Sequence, residues 1–474
     1  MISEKEKDIF ENRSVWEAVM HLALPTVLGQ IILVIYNMAD TFFVGLIKND
    51  AMLSAVTVAM PAFLILSAIS NLFGIGGASV ISRALGAGDT ERVREASAFS
   101  FWGCAAGTIL YCLLCLLFLD PLVDLLGGAH PEVHRHAVSY MKACVIFGGL
   151  AASLSTLLSH LLRSEGKATL ASTGIMLGGV LNIALDPLLM FRVLAPGQEA
   201  LGAAIATALS NLIALVYFAV VLWKLRNKTR LFFRPSARMF RHEIPQDIFT
   251  AGIPACMMTL CENISYAVLD KLMSLSGVAA QAGLGVAKKV NMLAHSIVRG
   301  IAQGALPLLA YNYAARRLER MKACFKAARL LAVAAASVCM GLSLCLARPL
   351  ISLFIHSGSA SLGFGTAFLR ILCLGGPFSA AAYTAISFFQ AVGEGRRSFL
   401  LAVLRKGLLD IPLMFVLGSL IPVYGIVIAT PLTDLVCSII SVMLFNAYTQ
   451  HLTHRAKKSG IVSSSAPIRA KEVL

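Results

Sequence analysis

Residues 24–45 read LPTVLGQIILVIYNMADTFFVG. The run is long and apolar enough to cross a bilayer as a helix. Its second half nevertheless carries Tyr36, Asn37 and Asp40. An acid in hydrocarbon costs about 2.5–3.5 kcal/mol on insertion scales. Such a residue persists where it faces a protein interior or a water-filled cavity. Tyr36 and Asp40 are spaced i, i+4 and share one helix face. This spacing predicts that the face forms half of a cation site.

The surrounding chain is of the same kind. Its 474 residues are 58% hydrophobic and only 14% charged. A soluble protein of this length needs more polar surface to cover its core. A transmembrane barrel would show short segments of strict alternation, and the sequence has none. The expected class is an all-α polytopic membrane protein. Twelve apolar spans are predicted, at 16–46, 52–84, 95–119, 134–162, 168–192, 200–223, 246–274, 279–313, 324–348, 362–391, 398–420 and 423–450. The N-terminus is charged and mixed in sign, without the short apolar core of a cleaved leader, so the first span is expected to act as the targeting signal.

The net charge of +15 would suggest nucleic acid in a soluble protein. Here the basic residues sit in short loops between spans, and the positive-inside rule accounts for them. With the termini and even-numbered loops on one side, that side holds 30 of the 40 Lys and Arg, with Arg163, Arg405 and Lys406 counted among its loop residues. Lys48, Arg135, Lys142, Arg192, Lys271 and Arg348 fall opposite, and Lys288, Lys289, Arg299 and Arg370 within spans, as candidate partners for the second-half acids. Both termini are therefore expected in the cytoplasm, and no nucleic-acid partner is expected.

The chain also repeats itself. LALPTVLGQIILVIYNMADTFF (22–43) matches TAGIPACMMTLCENISYAVLDKL (250–272), with Pro25 opposite Pro254. SRALGAGDTERVREA (82–96) matches AYNYAARRLERMKACFKAA (310–328), and LLRSEGKA (161–168) matches FQAVGEGRR (389–397). Each half holds six spans, so both enter from the same face as parallel repeats. The expected divisions are a first lobe, 1–223, a basic linker, 224–245, a second lobe, 246–450, and a polar tail, 451–474. The linker's aromatics and cations are expected on the inner membrane surface. Prolines 25, 61, 254, 307, 377, 412 and 431 are expected to kink their spans.

In span five, Asn182 and Asp186 repeat the i, i+4 pattern. At about 1.5 Å per residue, Asp186 lies roughly 29 Å and Asp40 roughly 36 Å along their helices, so the two faces can meet. Thr207, in GAAIAT (202–207), reaches a similar depth from the other side. Two carboxylates, an amide, a phenol and a hydroxyl suit Na⁺, or a proton shared between close acids. The plainer alternative is that each acid bonds a neighbouring helix, or the carbonyls freed near Pro187. In the second half, Glu262 is the favoured functional residue. Asp410 is spaced i, i+4 from Lys406, which fits a helix-surface ion pair as well as a site. His295 fits a packing histidine better than a proton carrier.

Other motifs exclude chemistry. Cys112 and Cys115 form a nominal CxxC inside an apolar span and are expected to pack. GIGGAS (74–79) lacks the strand and Lys-Ser/Thr of a phosphate loop. No metal-ligand cluster or nucleophile elbow is present, so an enzyme is not expected.

Together these features resemble the multidrug and toxic compound extrusion (MATE) family, over roughly residues 14–450. The likeness rests on twelve spans in two halves and the proline-led first helix ending YNMADTFFVG. It also rests on SRALGAGD, LRSEGK, LNIALDP followed by GAAIAT, and the echoes in the second half. The resemblance implies an outward-facing V between two lobes and ion-coupled export of organic cations or drugs, in the manner of the bacterial drug-exporter branch. It implies a cation site at Tyr36, Asp40, Asn182, Asp186 and Thr207, with Glu262 as the second-lobe candidate. One branch places an Asp on helix ten, where this sequence has Ser379. The expected protein is an antiporter of the bacterial inner membrane, driven by H⁺ or Na⁺. It needs no cofactor and no obligate protein partner beyond the bilayer. The alternative is a lipid-linked precursor flippase, for which Lys288, Lys289, Arg299 and Arg370 would supply a cationic groove.

Overall fold

The computed structural model describes residues 4–47, 49–241, 243–355 and 359–458. Lys48 and most of the expected polar tail lie outside the described residues. Among the described residues the secondary structure is helical, with no strand.

Twelve helical passes follow one another. The first six are α1 (Val15–Gly45), α2 (Asp50–Ala87), α3 (Thr90–Leu117), α4 (Pro131–Phe147 with Gly149–Ser164), α5 (Ala168–Val193) and α6 (Glu199–Lys224). The second six are α7 (Glu243–Ser274), α8 (Val278–Ala314), α9 (Leu318–Ser352), α10 (Ala360–Leu374 with Gly376–Val392), α11 (Gly395–Val403, Leu404–Leu408 and Asp410–Leu420) and α12 (Tyr424–Lys458). Seven of them, α1, α2, α3, α5, α6, α9 and α12, are each long and apolar enough to cross a membrane. The α4 and α10 pairs qualify when each is taken as one bent span. The remaining three, α7, α8 and α11, hold most of the second half's intramembrane charges.

Local chemistry sets the ends. Ser14, Asn49 and Asp89 cap α1, α2 and α3 by accepting from backbone N–H groups of the first turn. Gly88 and Gly393 close α2 and α10 in the left-handed region, at φ 77° and 79°. The repeat counterpart of Gly88 is Arg316, which adopts φ 58° although it is not glycine. The turn geometry is thus kept where the glycine is not.

The two halves pack alike. α1 lies on α5 and α2 on α3 and α4, just as α7 lies on α11 and α8 on α9 and α10. Between the halves, α2 packs on α7 and α8 packs on α1. Small residues make that approach possible. A Cβ on Gly252 would strike the Leu72 carbonyl, and one on Gly76 the Ile248 carbonyl. Gly304 is equally tight against Leu22 and Ala23. Ala23 and Gly304 are the repeat counterparts of Gly252 and Gly76, so one contact is made twice. Both copies lie near the helix ends on the face that carries the termini. The lobes are therefore closed at that face and diverge toward the other.

Where the helices bend differs from expectation. The sharp breaks, 42° in α4 and 45° in α10, fall at Gly148 and Gly375, which are repeat counterparts. The prolines at 25, 61, 254, 307 and 431 stay inside continuous helices, while Pro377 sits beside the Gly375 break and Pro412 just after the interruption of α11 at Leu409. A π-helical turn, Lys142–Phe147, leads into the first break and loosens the backbone there. The linker also departs from a surface ribbon. Thr229 and the Arg230 N–H donate to Glu165 at 2.7 Å each, and Trp102 donates to the Phe233 carbonyl. Trp223 and Phe240 remain exposed, as a membrane-surface role requires.

A short helix, Glu4–Glu11, docks under the second lobe. Phe10 is fully buried and stacks on Tyr311 at 4.7 Å. Tyr311 donates to Glu11 at 2.6 Å and Arg317 pairs with it at 2.9 Å. Burial alone would raise the Glu11 pKa, but the Tyr311 hydroxyl and the Arg317 guanidinium outweigh it and hold it below the usual value of 4.5. A lowered carboxyl pKa stabilises docking above that value and ceases to do so as pH falls through the folded pKa. Acidification below pH 4.5 is therefore expected to speed amide exchange over residues 7–13. Glu11→Gln should make that exchange fast at neutral pH and remove its acid dependence.

Candidate functional site

The residues singled out in the first half converge. Asp40 on α1, Asn182 and Asp186 on α5 and Thr207 on α6 are all buried, Asp186 completely. The Asn182 amide donates to Asp186 Oδ1 at 3.4 Å and to Thr207 Oγ1 at 3.3 Å. Asp40 and Asp186 lie within electrostatic range of each other, and Tyr36 lies close to both. Three oxygens have no hydrogen-bond donor: Asp40 Oδ1, Asn182 Oδ1 and Asp186 Oδ2. Buried acceptors are normally satisfied, so three together form a cage short of positive charge. Such hard oxygen donors suit Na⁺ or a shared proton rather than a transition metal. Among the described residues no cluster of His, Cys, Asp and Glu has the makings of a metal centre.

Three neighbours were not foreseen. Tyr140 and Cys144 of α4 stand beside Tyr36 and the two acids. They are spaced i, i+4, the same signal that drew attention to Tyr36 and Asp40. Lys289 of α8 comes within electrostatic range of Asp40 from the other lobe. The sequence reading had offered it to second-half acids. Adjacent residues point about 100° apart on a helix, so Lys288 bonds Asp270, at 2.7 Å, while Lys289 makes no such bond and lies within electrostatic range of both Asp270 and Asp40.

The second half is arranged differently. Glu262 is buried, but Arg299 pairs with it at 2.9 Å and Tyr383 donates to it. Arg405 pairs with Asp434 at 2.7 Å and donates to Ser379 at 2.8 Å. His295 meets Ser379 at 3.3 Å, as a hydrogen-bonded packing histidine would. Lys406 pairs with Asp410 at 2.8 Å. One expectation needs correction: Arg405 and Lys406 belong to the core of α11, not to a cytoplasmic loop. The Lys406–Asp410 pair, open between a helix surface and a site, is buried. Arg163, also counted as a loop residue, is buried beside His160. The i, i+4 rule found the Lys406 pair but carried no information on burial. Cys112 and Cys115 are free, buried thiols.

Between the lobes lies a cavity of about 320 Å³. Gln30, Asn37, Asn71 and His160 line it from the first lobe, and Met258, Glu262, Met292 and Arg299 from the second. Gln30 donates to Gln303 and Asn71 to Thr259 across the cleft. Tyr36 also lines the cavity, whereas Asp40 and Asp186 lie behind it.

The MatE family model matches residues 25–188 and again 254–416. The chain belongs to the MatE family. The two matches begin at Pro25 and Pro254, which separates the repeats where the fold does. A multidrug export protein MepA of Staphylococcus saprophyticus is 29% identical over 444 residues, spanning 94% of this chain and 96% of that protein. MepA of Staphylococcus aureus is 28% identical over the same length. Among solved structures, an outward-facing multidrug resistance MATE transporter superposes with a TM-score of 0.88 at 23% identity, covering 96% of this chain and all of the other. A transporter from Pyrococcus furiosus, described as having a binding pocket of reverse polarity, gives 0.83 at 24%. This MatE chain is thus a multi-pass membrane transporter and not an enzyme.

Asn182 is the member of the cage whose structural share can be isolated. Asn182→Leu leaves Thr207 Oγ1 and Asp186 Oδ1 without their amide, at a cost of about 1–3 kcal/mol. The melting temperature of the purified protein should fall, whereas an exposed substitution such as Thr57→Ala should leave it nearly unchanged.

Proposed function

We propose that the protein is a cation-coupled antiporter that exports organic compounds, drugs among them. H⁺ or Na⁺ enters the cage of Tyr36, Asp40, Asn182, Asp186 and Thr207 from the open face. The observation that carries the reading is the trio of unpartnered buried oxygens on Asp40, Asn182 and Asp186. Two carboxylates within electrostatic range of each other, with oxygens that no side-chain donor meets, favour uptake of a proton or metal cation, because both cannot stay ionised cheaply. The names of the MepA relatives support drug export. The excess of Lys and Arg on the face with the termini supports a cytoplasmic placement for it, in a bacterial inner membrane, with lobes 1–223 and 246–450 opening outward.

Ion and substrate need not share atoms. α1 carries Asp40 behind the cavity and Gln30, Tyr36 and Asn37 within its lining. Repacking α1 around a bound ion changes the cavity wall, and linkage requires each ligand to weaken the other equally. A preference for cationic substrates rests on Glu262, the one carboxylate among the described residues lining the cavity. Arg299 already opposes it, so amphiphiles of modest positive charge are the class favoured. A flippase groove finds no support. Lys288 and Arg299 are bound to Asp270 and Glu262, Lys289 lies toward Asp40, and Arg370 is exposed.

Asp40→Asn and Asp186→Asn should each reduce dye efflux from vesicles to the rate of empty vesicles, under pH and Na⁺ gradients alike, with folding unchanged by melting temperature. Ion-driven efflux retained in both variants would refute the reading. Glu262→Gln should weaken competition by cationic dyes more than by neutral ones. Equal loss for both would remove Glu262 from cation selection.

A further inference from the structure

We infer that the second lobe holds a permanent cation of its own. The Lys406 ammonium fills the place that an exchangeable ion takes in the first lobe, so the transporter works with one exchangeable site, not two. The inference rests on the first-lobe reading given above.

The internal repeat carries it. GAAIAT (202–207) of α6 recurs as GIVIAT (425–430) of α12. In that register Thr207 falls on Thr430; Leu185-Asp186 recurs as Leu409-Asp410 with the register moved by one residue, which puts Asp186 on Asp410 and Asn182 on Lys406. With Pro25 on Pro254, Tyr36 falls on Ser265 and Asp40 on Leu269. Every member of the first-lobe cage therefore has a counterpart, and three of them bond the carboxylate of a fourth, Asp410. Lys406 Nζ donates to Asp410 Oδ2 at 2.8 Å, and Ser265 donates to the same oxygen at 2.6 Å. Thr430 donates to Oδ1 at 3.1 Å.

Both oxygens of Asp410 are served by side chains at the positions of Asn182, Tyr36 and Thr207. In the first lobe the matching carboxylate keeps Asp186 Oδ2 without a donor, and a second acid, Asp40, is added. In the second lobe the place of that acid is taken by Leu269, which is buried. The neighbouring position behaves likewise. Asn211 recurs as Asp434, and the new acid is matched by Arg405 at 2.7 Å. Each carboxylate added to the second lobe thus arrives with a cation on its own chain. A tethered ammonium cannot leave, so ion gradients have no purchase on it. Arg405, Asp434, Tyr266, Glu262, His295 and Cys437 are the other ionisable groups around the pair.

The test starts from the Asp40→Asn/Asp186→Asn protein, in which the first-lobe cage is silenced. Adding Lys406→Asn places the first-lobe amide in the second lobe. It is expected to create an ion site at Asp410. The readouts are one extra proton bound per molecule in a difference titration, or a saturable rise in melting temperature with NaCl that equal KCl does not give. Adding Asp410→Asn should abolish either response. No ion response after Lys406→Asn overturns the inference, as does an Asp410-dependent response with Lys406 still in place. If that variant does not fold, Lys406→Met/Asp410→Leu in the otherwise unchanged protein replaces the pair by apolar groups. Retained ion-driven efflux supports the inference, and loss of coupling in a folded protein overturns it. Failure of the first-lobe reading is separate, since it appears as ion-driven efflux in the Asp40→Asn/Asp186→Asn protein whatever occupies position 406.

Discussion

A carboxylate buried among apolar helices must be neutralised, and the structure turns on where the neutralising charge comes from. Removing an ion from water costs several kcal/mol even after the protein relaxes. In the second lobe the compensation is internal, with Lys406 on Asp410, Arg405 on Asp434 and Arg299 on Glu262. In the first lobe two acids lie together, and among the described residues only Lys289, from across the cleft, is positioned to offset Asp40. Two copies of one architecture thus differ by whether the positive charge is tethered.

That difference needs a rigid frame. The frame is the seam at which Gly76 and Gly252, and again Gly304 and Ala23, let helix backbones touch. No side chain intervenes at these points, so the lobes meet backbone to backbone toward one face. The polar residues of the cavity lie beyond it, and the cross-cleft bonds from Gln30 to Gln303 and from Asn71 to Thr259 are few and neutral. Weak polar bonds above a tight glycine contact suit a cleft that changes its opening while its base persists.

The architecture was legible because span length, loop charge and the internal repeat are local or periodic signals. Each of the twelve spans reappears as a helical pass with ends shifted by a few residues. The convergence of Asp40 with Asp186 was legible for the same reason, from spacing along two helices that start at one face. The bends were not. Proline is a visible breaker, but Gly148 and Gly375 break α4 and α10 through a loss of backbone support that sequence pattern does not mark. Burial was the other hidden quantity. Arg163, Arg405 and Lys406 sit near the ends of apolar runs and look like loop cations, and only packing shows that each is enclosed. The approach of Lys289 to Asp40 was hidden because a partner across the cleft has no signature in sequence separation.

Under the proposed mechanism α1 is the shared wall between ion and substrate. One side of it presents Asp40 to α5, and the other presents Gln30 and Asn37 to the cavity, with Tyr36 common to both. Pro25 removes one backbone hydrogen bond from this helix, while Thr26, Asn37 and Thr41 each donate to the carbonyl four residues earlier. Side chains that bond their own helix in this way favour bending. A helix of that composition can adjust its path at little cost when an ion replaces an unfilled donor position beside it. Coupling would then need no long relay. The same thirty-one residues that bind the ion would shape the cavity, and competition between ion and substrate would follow from the two demands made on one helix.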